Sequence, residues 1–228
     1  TILLAALALL ALPAAHAQDE SALRLAIEAA ERGLPAPALA PSHPARAWVE
    51  MAGLRRNIDT LPAAQAQAFL SRHEGQAVAG VFREAWLRAL LKREDWAGLR
   101  AAWSPSITST ALRCAELQAR QRTGAMDAQW TRDAQAIWRS SGKSLPNECD
   151  QVFAALDAAG GLDDVLRWER FELAAAEWEP GVMRAAARGL PADQLALATD
   201  YAAFMQAPHD RALQWPKTAR SRLVASHG

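Results

Sequence analysis

The chain has 228 residues, and its 25 basic side chains balance its 25 acidic ones. Zero net charge gives no electrostatic footprint for nucleic acid and no polybasic patch for an anionic membrane. Alanine makes up roughly a quarter of the residues, while Val, Ile, Thr and Tyr are sparse, so there is little material for strands and much for helices. Alanine buries little area per residue, so core bulk has to come from leucine and the nine tryptophans.

In chain order, Ile2 to Ala15 is an almost continuous apolar run. Ala15-His16-Ala17 and the charged Asp19-Glu20 follow it. A short apolar core closed by a small-x-small triplet reads as a secretory signal cut near Ala17, and the run is short for a bilayer span. A basic start is missing before Thr1, which reads as a truncated signal. No cysteine follows the cut, so no lipid anchor is expected, and the mature chain begins near Gln18. Residues 18–34 read as an N-terminal helix, joined by a proline-rich linker from Pro35 to Pro44 to a scaffold spanning 44–228.

Within the scaffold, Gly and Pro recur at short intervals: Leu61-Pro62, Ser104-Pro105, Thr123-Gly124, Leu145-Pro146, Gly160-Gly161, Pro180-Gly181 and Leu190-Pro191. Segments of about 10–18 residues with helical periodicity lie between them, for example Val81, Ala85, Leu87, Leu90 and Leu91. About a dozen helices joined by short turns make the helical hairpin the natural unit. Asp95-Trp96 and Gln129-Trp130 are offset by 34 residues, a period that builds right-handed superhelices of stacked hairpins. The predicted fold class is therefore all-α, a right-handed solenoid of antiparallel helical hairpins.

Two cysteines, Cys114 and Cys149, suit an exported chain: one disulfide, or else two buried thiols. A bond would tie the helix after Ser109 to the helix starting near Asn147. It would need Cα atoms about 4.4–6.8 Å apart and would stabilise by about 3–4 kcal/mol in the chain-entropy model.

Chemistry is harder to find. His16, His43, His73, His209 and His227 are scattered, with no partner at metal-ligand spacing, so neither a metal nor a cofactor is expected. There is no phosphate-cradling glycine loop and no Gly-x-Ser-x-Gly elbow. Glu169 with Glu172, and Glu177 with Glu179, are the carboxylate pairs nearest to a glycosidase arrangement, and they read as surface charge. The tryptophans fit a core at helical spacing, with sugar stacking as the alternative. Glu20-Ser21 reads as a helix start. No catalytic residue is assigned.

The string Lys92-Arg93-Glu94-Asp95-Trp96-Ala97-Gly98-Leu99, with Ser104-Pro105, Cys114 and Trp130, resembles the N-terminal superhelical domain of soluble lytic murein transglycosylases. So does Ile137-Trp138 followed by Ser141-Gly142-Lys143-Ser144-Leu145-Pro146-Asn147-Glu148-Cys149-Asp150. The resemblance runs from about Pro44 to Pro191. It implies a periplasmic enzyme that cleaves the MurNAc–GlcNAc β-1,4 bond of peptidoglycan, leaving a 1,6-anhydromuramoyl end. In that family the catalytic glutamate lies in a separate C-terminal domain, in a Glu-Ser motif followed by Gly-Leu-Met-Gln. Glu20-Ser21 lacks that continuation, so the catalytic domain is expected beyond Gly228. The implied partners are peptidoglycan strands and that domain. The competing expectation is a non-enzymatic exported solenoid that binds protein or peptide partners.

Overall fold

The computed structural model describes residues 20–35, 39–40 and 42–218. The apolar run with its cleavage triplet, His16, His227 and part of the proline-rich stretch lie outside these residues. Among the described residues there are eleven α-helices, two short 3₁₀ turns and no strand, so the all-α expectation holds. None of these helices is long and apolar enough to cross a membrane. The chain divides into two compact units between Ile107 and Thr108.

The first unit holds α1 (20–32), α2 (Arg46–Arg55), α3 (Ala63–Arg72), α4 (Ala77–Lys92) and α5 (Trp96–Ala102). Helix α4 is its centre and packs on α2, α3 and α5. It buries Val78, Phe82, Trp86, Leu87 and Leu90 on one side, the i, i+4 stripe that a core-facing helix requires. Phe82 meets Phe69 of α3 at 4.6 Å between ring centroids. At the C-terminal end of α4, Arg93 lies 4.8 Å over the Trp86 ring and donates to the Asp59 carbonyl at 3.0 Å.

The second unit holds α6 (Thr110–Arg122), α7 (Ala128–Trp138), α8 (Glu148–Ala158), α9 (Asp164–Ala176), α10 (Pro180–Ala187) and α11 (Ala192–Gln206). Neighbours in sequence pack together, α6 on α7, α7 on α8, α9 on α10 and α10 on α11. Next-but-one contacts join α6 to α8 and α7 to α9. This is the contact pattern of stacked hairpins.

The 34-residue period is kept by Trp96 and Trp130 and only roughly by the helix caps, which lie 32 and 36 residues apart. Asp95, Asp127 and Asp163 precede α5, α7 and α9, and each carboxylate accepts the N–H three residues on, from Gly98, Trp130 and Leu166. An aspartate at the N-cap satisfies an orphan donor and favours the positive end of the helix dipole. The Trp130 N–H, and then the Arg120 guanidinium, hold the Asp127 carboxyl below its ordinary value. With a depressed folded-state pKa, its stabilisation is present above the ordinary carboxylate range and lost as pH falls.

Helix ends follow a second rule. After α1, α4, α6, α8 and α9 the chain takes one residue at positive φ: Gly33, Glu94, Gly124, Gly160 and Trp178. The next N–H reaches back to the last turn, as from Glu179 to the Ala174 carbonyl at 2.9 Å. Three of these residues are glycines, for which the left-handed region carries no Cβ penalty. Trp178, at φ 56°, bears that penalty with its side chain 61% exposed, so core burial does not compensate for it.

The other tryptophans bear out the core reading. Trp86, Trp130, Trp138 and Trp168 are buried, and Trp48, Trp96, Trp103 and Trp215 half-buried. Three of these four buried indoles place their N–H on an acceptor: Trp130 donates to the Leu117 carbonyl at 2.9 Å, Trp138 to the Leu166 carbonyl at 2.9 Å and Trp168 to the Gln194 side chain at 2.7 Å.

Candidate functional site

Cys114 in α6 and Cys149 in α8 are bonded, with Cα atoms 5.0 Å apart and both residues fully buried. Gln118, one turn on from Cys114, donates to the Glu148 carbonyl beside Cys149, so α6 and α8 are joined twice at one place. The string before Cys149, with its one glycine at Gly142, forms the connection between α7 and α8, residues 139–147. It lies flat on the end of α9. A Cβ on Gly142 would come within 2.1 Å of the Leu173 carbonyl oxygen, so only glycine fits there. Lys143 pairs with Glu177 at 3.3 Å, beyond the last turn of α9.

Two buried arginines of α9 lie beneath this connection. Arg167 and Arg170 are one helical turn apart, and each is only 5% exposed. Each reaches the C-terminal end of a neighbouring helix, where carbonyls lack partners and the dipole is negative. Arg167 donates to the Arg188 carbonyl at the end of α10 and pairs with the Asp157 carboxylate of α8. Arg170 donates to the Trp138 carbonyl at the end of α7 at 2.6 Å and to the Lys143 carbonyl at 3.4 Å. Its guanidinium lies 4.8 Å from the Trp138 ring and 5.6 Å from the Phe153 ring. Burial depresses the Arg170 pKa from its ordinary value.

Above these two side chains is a groove of about 690 Å³. Asp150, Phe153, Ala154 and Asp157 form its α8 wall, and Gly181, Val182, Ala185 and Arg188 its α10 wall. Glu179 and Ser144 stand at its edge, with Trp138 and the α9 arginines beneath. This arrangement offers hydrogen-bond donors, carboxylates and apolar surface, the makings of a binding site for a polar ligand.

The carboxylates singled out in the sequence do not gather. Glu169 pairs with Arg139 at 3.8 Å, Glu177 with Lys143, and Glu179 lies at the groove edge. Glu20 is exposed at the start of α1, 3.6 Å from Arg24 one turn on. His43 accepts from the Ala45 N–H at 3.1 Å, and His73 lies 3.1 Å from Glu50. Among the described residues, no three His, Cys, Asp or Glu side chains gather as a metal site would require. The groove itself was not foreseen. Nothing in the string Arg167-Trp168-Glu169-Arg170 itself marks two of its charges as buried; the packing does that.

No family model matches the chain. The chain is 27% identical to the soluble lytic murein transglycosylase of Escherichia coli K12 over 157 residues, which is 69% of this chain and 24% of that protein. The soluble lytic murein transglycosylase of Salmonella typhimurium matches with the same identity and extent. The chain thus spans about a quarter of the length of these relatives. Among solved structures, a 70-kDa soluble lytic transglycosylase in complex with bulgecin A matches with a TM-score of 0.73. That match has 24% identity and covers 93% of this chain and 33% of the other. The 70-kDa soluble lytic transglycosylase of Escherichia coli matches at TM-score 0.72 and 25% identity, over 82% of this chain and 30% of the other. The resemblance carried by the Trp96 and Gly142-to-Cys149 strings is therefore shown, as similarity to soluble lytic murein transglycosylases in sequence and in helical fold.

Proposed function

We propose that this chain is helical scaffold from a periplasmic soluble lytic transglycosylase, the parent of which cleaves the MurNAc–GlcNAc bond of peptidoglycan to leave 1,6-anhydromuropeptides. The observation that carries the reading is the coincidence of a 157-residue sequence match with a fold match over 93% of the chain. The buried disulfide supports an oxidising compartment, as the signal-like first 17 residues do. In this reading the chain has no cofactor and no membrane anchor. Its partners are glycan strands and a catalytic domain of the parent outside the 228 residues. Residues 44–228 act as one scaffold that shapes the access route of the glycan and holds that domain.

Lytic cleavage needs a carboxylic acid whose pKa is raised near an apolar surface, so that it can protonate the leaving oxygen and then act as base. It also needs a cleft that orients the sugar. Glu20, with 75% of its side chain exposed at the start of α1, has no such setting. Purified alone and incubated with sacculi, the chain is expected to release no anhydromuropeptides by chromatography. Products that disappear on Glu20→Gln would overturn the assignment of the chemistry to another domain.

A further inference from the structure

Arg170 differs from its neighbour in one respect. Arg167 is neutralised by Asp157, whereas Arg170 has aromatic rings and two carbonyls around it and no carboxylate within ion-pair distance among the described residues. A buried cation without a counter-ion costs more than a paired one, and ring faces offset only part of that cost. A guanidinium carries five N–H donors, of which the two carbonyls engage two. The group lines a groove of about 690 Å³, large enough for a short peptide or a disaccharide. An anionic oxygen entering that groove would meet a desolvated cation already held in place by α7 and the 139–147 connection, where a charge-assisted bond is strongest. The walls carry both signs of charge, with Asp150 and Glu179 opposed to Arg188. Such a rim suits a ligand with carboxylate and ammonium groups better than a neutral saccharide.

We propose that the groove between α8 and α10 is a peptide subsite, with Arg170 as the counter-ion for a carboxylate of the peptide stem carried by peptidoglycan. The subsite stands on the geometry, and naming the stem as its occupant rests on the scaffold reading above.

The test follows the Trp138 indole and Arg170 side-chain resonances by NMR while the full chain is titrated with three probes. These are the disaccharide tetrapeptide released from sacculi, the free stem tetrapeptide, and chitotetraose, which has no carboxylate. Both peptide-bearing probes are expected to shift these resonances with the same dependence on concentration, and chitotetraose to leave them unmoved. Arg170→Gln is expected to weaken peptide binding at least tenfold. Because Arg170 also caps α7, a second variant blocks the groove without touching it. Gly181→Tyr places a ring there from a position where a Cβ meets nothing within 4 Å, and it is expected to abolish the shifts with the circular dichroism spectrum unchanged. Chitotetraose binding as tightly as the peptide, or full peptide affinity in Gly181→Tyr, overturns the subsite. Absence of peptide binding while the parent protein still releases anhydromuropeptides also overturns it and leaves the scaffold reading standing.

Discussion

Reducing the Cys114–Cys149 bond is expected to lower the stability of the second unit by about 4 kcal/mol. The cysteines are 35 residues apart in sequence, and the loop they close contains all of α7 and the connection that follows it. Opening that loop restores entropy to the unfolded chain, and the chain-entropy model gives about 4 kcal/mol for this length. The native state loses support as well, because the bond fixes the first turn of α8, from which Asp150 lines the groove, with Phe153 in the turn after it. With an m-value of about 2 kcal/mol/M, the urea midpoint falls by roughly 2 M. Urea titration by far-ultraviolet circular dichroism, with and without reductant, measures this, and Cys114→Ser with Cys149→Ser should reproduce it. Coincident midpoints would show that burial of α6 against α8 holds the unit without the bond.

Gly142→Ala is the second large effect. The added Cβ would approach the Leu173 carbonyl oxygen to 2.1 Å and its carbon to 2.3 Å. Both atoms belong to the backbone of α9, which has no rotamer to yield. The connection must then lift, and it carries away the Lys143 carbonyl that Arg170 holds and the Lys143–Glu177 pair. Overpacking against backbone is expected to cost about 3 kcal/mol. Gly181→Ala is the matched control. It meets open space near the start of α10 and should be neutral, or stabilising by up to about 1 kcal/mol. Thermal melts of the two variants side by side decide the matter. Equal melting temperatures would mean that the connection moves freely off α9.

These two sites show what sequence reasoning can reach. The cysteine pair was legible as one disulfide or two buried thiols, and the Cα separation of 5.0 Å decides for the bond. A helix start was legible where an aspartate caps, as at Asp95, because the cap is a local bond. The end of α9 was not, since Trp178 occupies a left-handed position that composition assigns to glycine. Gly142 belonged to a recognisable string, yet its reason is the α9 backbone about 30 residues on, a tertiary fact. The groove was hidden for the same cause. Arg170 is buried by carbonyls and rings from α7, α8 and the 139–147 connection, and no periodicity within α9 distinguishes it from the exposed Glu169.

The scaffold reading is tested most directly with the natural polypeptide that contains these 228 residues. That protein is purified, incubated with sacculi, and its soluble products are analysed by chromatography and mass spectrometry. The account expects disaccharide peptides ending in 1,6-anhydromuramoyl, a mass lower by one water than hydrolysis would give. Release of only reducing-end products, or of no glycan at all by a folded protein, would contradict it and favour an exported helical adaptor.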